Sequence, residues 1–389
     1  MKLKHYLYKR FVALVKKVYR VSRYHYLALD NMMLAKLFEL PINERSYQPT
    51  SKELKIYDQK WRKFGIDINH IYVKNAAAIL GYFDVNIIPS DIYFSVIEPA
   101  LNNRKFSLQY EDKSSIDWIN WPEHVPTIFV RNINGVYYNS DRSVIDKSEI
   151  DLVSLLKGVK GIVAKKSIEM HGGKGIEMFD NNGGDNLLNK EGEKLTLNYL
   201  EEKYECDFII QEQVEQHPFY KALNPSSLNT FRVFTYRSVV DNTIHVLYSF
   251  LRIGAPNSRI DNISTGGIFL CVKPDKHFFE YGLKKGGKKV YQLGDNPPFK
   301  EFGKPPFIDE VYDLAKRLAM NYHYSRLIGF DLAIDGNGKI IHIETNTSDI
   351  GMEGLQYIIG PMFNLFTDEV LDYCRAKLQN TSKYHLYDS

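Results

Sequence analysis

The stretch that decides the fold is LIGFDLAIDGNGKIIHIETN, residues 327–346. Two apolar, strand-like runs flank the tetrapeptide DGNG at 335–338. Asp-Gly and Asn-Gly between such runs are strong signals for a β-hairpin, because their backbones accept the turn geometry that joins antiparallel strands. The pattern therefore predicts a hairpin with strands at about 327–334 and 339–344.

Three oxygen-bearing side chains meet in this predicted hairpin. Asp331 on the first strand lies roughly opposite the second strand, where Glu344 is expected to share a face with His342 and Asn346. Two carboxylates and an amide oxygen form an oxygen-only ligand set, which suits Mg²⁺. The alternative is a polar, solvated hairpin face, but burying an unpaired charge between apolar neighbours is costly. The sequence thus favours a magnesium site made by Asp331, Glu344 and Asn346.

A glycine-rich loop follows another predicted strand, 159–165, which ends at Lys165. Backbone N–H groups of such a loop can bind phosphate oxygens, and lysines add positive charge. The loop fits neither the Walker nor the dinucleotide pattern, so only its combination with the predicted metal ligands indicates a nucleotide site. The residues of this loop are Gly172, Gly173, Lys174 and Gly175.

Two arginines lie inside apolar strands predicted at 230–239 and 244–253. Arg232 and Arg252 present planar forks that suit carboxylate or phosphate, so they are candidate clamps on a transferring phosphoryl group. The alternative is a pair of surface cations.

A further apolar strand, 208–214, ends in acidic residues and could hold a purine between apolar walls. By itself it would be an ordinary strand end. The candidate residues there are Glu212, Val214 and Glu215.

The composition is that of a folded protein of more than one lobe. The chain has 389 residues, of which 44% are hydrophobic and 25% charged, so it can bury a sizeable core. The three cysteines have no CxxC spacing, which argues against a disulfide framework or a structural zinc site. With no signal-peptide pattern and no long apolar run, a cytoplasmic location is expected.

Charge is concentrated at the N-terminus, where residues 1–24 hold eight Lys or Arg and no acidic residue. Apolar residues recur there at helical spacing, which predicts a basic amphipathic helix. Such a helix could lie on an anionic membrane surface, at the inner face of the membrane, or pack its apolar stripe on the body of the protein. A nucleic-acid partner is not expected, because the basic track does not continue past residue 24.

Changes of pattern along the chain predict four units. These are a basic helical N-terminal extension (1–65), a small α/β lobe on the acceptor side (66–144), a mobile lobe with the glycine loop (145–218) and a catalytic C-terminal lobe (219–389). Within the second unit, apolar runs such as 92–96 are predicted strands, and 69–82 a helix. Helices are also predicted at 308–321 and 361–378.

Taken in order, these motifs resemble the ATP-grasp superfamily, and more narrowly its sugar-transfer-associated branch, over residues 105–365. The resemblance implies an α/β (α+β) ATP-grasp fold in which nucleotide lies between two antiparallel sheets. It also implies that Lys165 and Lys174 contact the phosphates and that two Mg²⁺ ions are held by Asp331, Glu344 and Asn346. Lys166 stands where this branch commonly has proline, so Lys165 and Lys166 could exchange roles.

In the same resemblance Glu212 and the main chain near Val214 would hold adenine, with Glu215 or His217 as candidates for the ribose. Arg232 and Arg252 would steady the γ-phosphate and an acylphosphate. The implied activity is an ATP-dependent carboxylate–amine ligase that modifies a small-molecule or glycan-linked carboxylate, such as a sugar acid or a surface-polysaccharide precursor, with an amino acid or another amine. The alternatives are a sugar kinase and a non-catalytic nucleotide-binding scaffold.

Overall fold

The structure is a computed structural model of the whole chain. It describes residues 38–66, 68–168, 175–181, 186–261 and 266–379. It also describes nine single residues nearer the N-terminus: Arg10, Phe11, Leu14, Val18, Leu29, Met32, Met33, Ala35 and Lys36.

The first of two antiparallel sheets has six strands in the order β2-β1-β6-β3-β4-β5. Helix α8 (Leu197–Tyr204) packs on it through Leu197 and Leu200, and its N-cap Thr196 accepts a hydrogen bond from the backbone of Tyr199. The strands are β1 (Ile128–Ile133), β2 (Val136–Asn139), β3 (Gly161–Lys166), β4 (Ile176–Asn181), β5 (Leu187–Leu188) and β6 (Phe208–Glu212).

The second sheet has seven strands in the order β11-β10-β9-β8-β7-β12-β13, and all its pairings are antiparallel. The strands are β7 (Thr230–Arg237), β8 (Ile244–Ile253), β9 (Ile268–Cys271), β10 (Gly282–Lys284), β11 (Lys289–Val290), β12 (Leu327–Ile334) and β13 (Ile340–Asn346).

Helices cover both faces of the second sheet. On one face, α10 (Ile308–Ala319) buries Val311, Leu314 and Leu318 against the sheet, at the spacing that gives a helix one apolar side. The other face carries a core built from α1, α2, α11, α12 and residues 87–101. The remaining helices are α1 (Ser51–Trp61), α2 (Ile71–Leu80), α3 (Ser90–Ile92), α4 (Glu98–Leu101), α5 (Arg104–Ser107), α6 (Ile116–Ile119), α7 (Leu152–Leu155), α9 (Pro218–Leu223), α11 (Glu353–Ile359) and α12 (Thr367–Gln379).

Two secondary-structure predictions are wrong, one in its type and one in where it begins. The apolar run predicted as a strand at 92–96 is helical and fully buried, with a π-helical turn at Tyr93–Ile97. A short run that is apolar on every side does not reveal its period, so a buried helix and a buried strand look alike. The helix predicted at 361–378 is present but begins only at Thr367, after a 3₁₀ turn at Asn364–Phe366. Gly360, with a positive φ, and Pro361 end the preceding α11.

The decisive hairpin forms as predicted. β12 and β13 pair antiparallel, and Gly338 adopts φ +83° in the turn. A side chain at Gly338 would also collide with the ring of Phe307, since a Cβ atom there would lie 2.5 Å from it. The register shifts between Asp331 and Leu332, which marks a β-bulge.

The predicted domain boundaries stay a prediction. The first sheet includes β1 and β2, so it extends to the N-terminal side of residue 145, where the mobile lobe was predicted to begin. Between residues 68 and 127, all within the described part of the chain, there are helices and 3₁₀ turns but no strand.

The basic segment 1–24 lies mostly outside the described residues. Phe11, Leu14 and Val18 are helical, and each side chain is more than half exposed. No helix within the described residues is long and apolar enough to cross a membrane.

Candidate active site

The candidate site is centred on a pair of carboxylates on neighbouring strands. Asp331 on β12 is the direct partner of Glu344 on β13, and Gly329 is the partner of Asn346. Cross-strand partners of an antiparallel pair point to the same face with Cβ atoms about 5 Å apart. The hairpin therefore brings Asp331, Glu344 and Asn346 together, as the sequence predicts.

Both candidate arginines contact Asp331, which is almost fully buried. Arg232, its partner on β7, donates from Nε to Oδ1 and from Nη2 to Oδ2, each at 2.6 Å. Arg252 on β8 donates from Nη1 to Oδ2 at 2.7 Å. Burial alone would raise the pKa of Asp331, but the two guanidinium groups outweigh it and hold that pKa below its usual range.

Glu344 is compensated by a lysine from outside the sheet. Lys113, in a 3₁₀ turn after α5, places Nζ 2.9 Å from Oε1 of Glu344. Burial raises the pKa of Glu344, but the ion pair with Lys113 and the positive charge of Arg232 together lower that pKa overall. The backbone N–H of Lys113 also donates to the carbonyl of Ser167, just after β3. Lys113 therefore connects the first sheet to Glu344, one of the two candidate metal-binding carboxylates.

Of the two adjacent lysines on β3, only Lys165 faces these carboxylates. It is buried, and burial together with repulsion from Lys113 lowers its pKa to about 8, although Glu344 and Asp331 act in the opposite direction. Lys166 points to the other side, where Nζ donates to the carbonyls of Tyr204 and Cys206 at 2.8 Å each. Neighbouring residues of a strand point to opposite faces, which explains this division.

The glycine loop can be placed only in part. Gly172, Gly173 and Lys174 lie outside the described residues. Gly175 has φ +70°, and its carbonyl accepts from the backbone of Lys166 where β3 and β4 begin to pair.

A third carboxylate, Asp261, borders the arginines. It lies 3.0 Å from Nη2 of Arg252 and also accepts a hydrogen bond from the hydroxyl of Thr230 on β7. Burial raises the pKa of Asp261, and the attraction of Arg252 only partly offsets this.

The predicted adenine segment follows β6. Glu212 is exposed, while its backbone N–H donates to the carbonyl of Thr127. Val214 is half-buried, and Glu215 is exposed and forms a 3.2 Å ion pair with Lys160. None of the three is a hydrogen-bond or ion-pair partner of Asp331, so the role of this segment in binding adenine stays a prediction.

The expectation that His342 shares a face with Glu344 is wrong. The bulge makes Leu332, rather than Ala333, the partner of His342. His342 consequently points into the core, where its ring packs on Phe330 and Nε2 lies 3.0 Å from the hydroxyl of Thr345. Burial lowers the pKa of His342 to about 4, so the ring is neutral near pH 7.

These features match a known family. The family described as sugar-transfer associated ATP-grasp matches residues 95–363, more than two thirds of the chain. The chain belongs to this family. The match contains both arginines, both β3 lysines, Lys113 and the predicted metal ligands. Membership confirms the family and the fold class predicted from the sequence, and the prediction of an ATP-grasp enzyme agrees with it.

Solved structures similar to this ATP-grasp chain have low sequence identity. The ATP-grasp ligase PsnB in complex with a minimal precursor is 12% identical with a TM-score of 0.35, over 70% of this chain and 63% of PsnB. D-alanyl-alanine synthetase A from Vibrio cholerae O1 biovar eltor str. N16961 is 12% identical with a TM-score of 0.39, over 70% and 66%. D-alanine-D-alanine ligase from Coxiella burnetii is 9% identical with a TM-score of 0.38, over 70% and 59%. The chain thus spans less than two thirds of each of these proteins. No curated protein matches its sequence.

The predicted ligands of this ATP-grasp site fit Mg²⁺ by their chemistry. All three donors are oxygens, and Nδ2 of Asn346 donates to the carbonyl of Gly329 at 3.2 Å, which leaves the amide oxygen available to a metal ion. An ionised carboxylate has about four acceptor positions, so Asp331 keeps capacity beyond its three arginine contacts. Among the described residues, no three His, Cys, Asp or Glu side chains form a cluster suited to a metal. The predicted set is therefore two carboxylates completed by an amide.

Two residues that border the candidate site, Lys113 and Asp261, have no specific role that the sequence alone predicts; Asp261 is only expected to lie in a turn that could approach a ligand. Lys113 lies within the range of the resemblance, 105–365, but belongs to none of its motifs. The one local signal is the turn formed by Asp112, whose carboxylate caps the backbone N–H of Ser114. Asp261 follows a polar loop, and nothing in that loop indicates its contact with Arg252.

Proposed function

We propose that this protein is an ATP-dependent carboxylate–amine ligase. The observation that carries the proposal is the row Arg232–Asp331–Glu344, directly paired across β7, β12 and β13 and flanked by Lys113 and Lys165. Such a row supplies oxygen ligands for a divalent cation beside fixed positive charges for phosphate groups. Membership of an ATP-grasp family supports the same conclusion.

We propose that Lys165 and Lys113 contact the phosphates of ATP. Both ammonium groups face the candidate metal-binding carboxylates, Asp331 and Glu344. The bonds of Lys166 to two backbone carbonyls argue against this role for it. The predicted roles of Lys174 and the glycine loop in binding phosphate form part of the proposal. So do those of Glu212, Val214 and Glu215 in binding adenine and ribose.

Asp331, Glu344 and Asn346 would hold Mg²⁺, with two ions as the expected number. Magnesium bound there would neutralise the charge of the β- and γ-phosphates and orient them. The part played by the chain itself is positional: the two carboxylates are fixed by ion pairs within rigid strands, so their oxygens keep their places as substrates enter and leave.

The proposed reaction has two steps. A substrate carboxylate oxygen attacks the γ-phosphorus of ATP, the bond to the β-γ bridging oxygen breaks, and ADP leaves. The amine nitrogen then attacks the carbonyl carbon of the acylphosphate, phosphate leaves with the electrons of the C–O bond, and the nitrogen loses a proton. Arg232 and Arg252 would stabilise the negative charge of both transferring groups.

We further propose that the acceptor is a sugar acid or a glycan-linked carboxylate and that the donor is an amino acid or another amine. The support is the sugar-transfer association in the description of the family. A requirement for ATP also agrees with the cytoplasmic location expected from the sequence.

The test is a screen of sugar acids against amines with ATP and Mg²⁺, following ADP release and identifying the product by mass spectrometry. A ligase forms an amide together with ADP and phosphate, whereas a kinase forms a stable phosphorylated sugar without free phosphate. Glu344→Gln should abolish turnover. The matched control, Glu310→Gln on the exposed side of α10, should not change it. A product formed at the wild-type rate by Glu344→Gln would refute the proposed site.

A further inference from the structure

A second charged feature lies far from the candidate active site. The hairpin formed by β10 and β11 carries four lysines within six residues, and no acidic residue occurs from 281 to 294. We call residues 284–289 the lysine hairpin. Lys284, Lys285 and Lys288 are exposed, and Lys289 is half-buried with Nζ 4.4 Å from the centre of the Tyr281 ring.

The lysine hairpin holds like charges close together. The backbone N–H of Lys284 donates to the carbonyl of Lys288, so these two residues face each other across the turn. Like charges directly opposite each other in a sheet are destabilising. No carboxylate among the residues described by the structure lies within ion-pair distance of any of the four lysines. An external anionic surface would relieve this repulsion.

Aromatic side chains border the same hairpin. Tyr291 follows β11 and is 56% exposed, and its ring lies 6.0 Å from that of Tyr281. Tyrosine beside lysine is the composition found where proteins meet the headgroup layer of a membrane, because the ring is apolar and its hydroxyl stays hydrated.

The turn of the lysine hairpin packs against the end of the N-terminal segment. A Cβ atom on Gly287 would lie 3.0 Å from the carbonyl oxygen of Phe38 and 3.2 Å from the Leu40 side chain. Met33 is helical, 63% exposed and five residues before Phe38, hence within about 18 Å of it along the chain. The exposed apolar residues Phe11, Leu14 and Val18 lie earlier in the chain, in the basic segment 1–24. Charge and exposed apolar surface therefore come from two separate parts of the sequence.

We propose that the lysine hairpin binds the surface of an anionic lipid bilayer. Such a surface meets several lysines at once and also accepts tyrosine rings and exposed apolar side chains, which a soluble acidic partner would leave in water. The hairpin lies at the edge of the second sheet, and three strands separate β10 from β12, a distance of about 19 Å. Bilayer binding by this edge leaves the candidate active site free, and it does not depend on the proposed ligase activity.

The test is flotation of the full-length protein with vesicles at low salt. One set contains equal parts of phosphatidylcholine and phosphatidylglycerol, and the other contains phosphatidylcholine alone. The variant Lys284→Gln/Lys285→Gln/Lys288→Gln is compared with a control of equal charge change, Lys157→Gln/Lys194→Gln/Lys316→Gln, whose lysines are exposed on other elements. Thermal midpoints and nucleotide affinities are measured alongside and are expected to match the wild type.

Each lysine at an anionic surface strengthens binding about fivefold, so the hairpin variant should partition about 100-fold more weakly into the anionic vesicles. The control variant should bind the anionic vesicles like the wild type. The phosphatidylcholine vesicles should bind neither the wild type nor either variant. An equal loss in both variants would overturn the proposal, because binding would then follow net charge alone. Unchanged binding of the hairpin variant would overturn it as well and would indicate that the lysines protect an open sheet edge.

Discussion

Asp331 is expected to stabilise the fold as well as to bind metal, and Asp331→Asn separates this role from that of Glu344. The substitution keeps the shape of the side chain and removes its charge. Arg232 and Arg252 would then keep two positive charges in a buried environment, because Asp331 is 1% exposed and accepts three short hydrogen bonds from them. Removing one partner of a buried ion pair costs about 3–5 kcal/mol. For a chain of this length unfolding as one unit, at ~2.1 cal/mol/K per residue, the thermal midpoint should fall by about 4–6 °C.

Glu344→Gln is the matched comparison. The Glu344 side chain is 29% exposed and has one cationic partner, Lys113. The substitution should therefore lower the free energy of unfolding by about 1 kcal/mol or less. Its thermal midpoint should therefore stay within about 1 °C of the wild type. Both variants should lose turnover, but only Asp331→Asn should also lose stability.

The assay is thermal unfolding followed by intrinsic fluorescence, repeated from neutral to acidic pH without nucleotide or metal. Because the pKa of Asp331 is lowered in the folded protein, its contribution is fully present above the pKa of the unfolded chain, about 3.9, and is lost as the pH falls through the lowered folded value. The difference between wild type and Asp331→Asn should thus be constant near neutral pH and shrink in acid. Equal midpoints for Asp331→Asn and Glu344→Gln at pH 7 would refute the reasoning.

Two further predictions concern the lysines of β3. Lys165→Met should weaken nucleotide binding about 10- to 100-fold, the size expected for one charged hydrogen bond. Lys166→Met should leave nucleotide affinity unchanged and lower only the thermal midpoint. Titration calorimetry with both variants checks this, and the reverse pattern would mean that Lys166, not Lys165, binds the nucleotide. Since the pKa of Lys165 is about 8 in the free protein, the cation is lost above that pH, so nucleotide affinity should fall by up to about tenfold per pH unit there. Lys165→Met should abolish this pH dependence, and an identical profile in that variant would assign it to another group.

The sequence predicts the centre of the site well because its elements are local. The DGNG turn and the alternation of β12 and β13 determine which residues face each other, and so Asp331, Glu344 and Asn346 could be brought together without a structure. Arg232 and Arg252 were also recognisable as candidates, because each is a charged residue inside an apolar strand. Their contacts with Asp331 follow from strand order, in which β7 lies next to β12.

What the sequence could not predict depends on irregularity or on distance along the chain. The bulge beside Asp331 turns His342 to the other face, and simple alternation gives no sign of an extra residue. Lys113 reaches Glu344 across more than two hundred residues from a 3₁₀ turn, which has no periodic pattern to extend. Likewise, β1 joins the first sheet by pairing with β6, a contact between segments about eighty residues apart.

The helical region before β1 determines where the site can lie. Part of this region, residues 92–96, was wrongly predicted as a strand. One face of β7 and β12 is apolar at one end and charged at the other. Phe234, Tyr236 and Leu327 are buried there against the helices, while Arg232 and Asp331 continue the same face beyond them. Because those helices cover the apolar end, only the charged end remains for substrates, next to Lys113 and the first sheet. Substitutions that shorten the apolar side chains should therefore impair folding, and those at the charged end should mainly impair chemistry, with Asp331 as the one residue expected to do both.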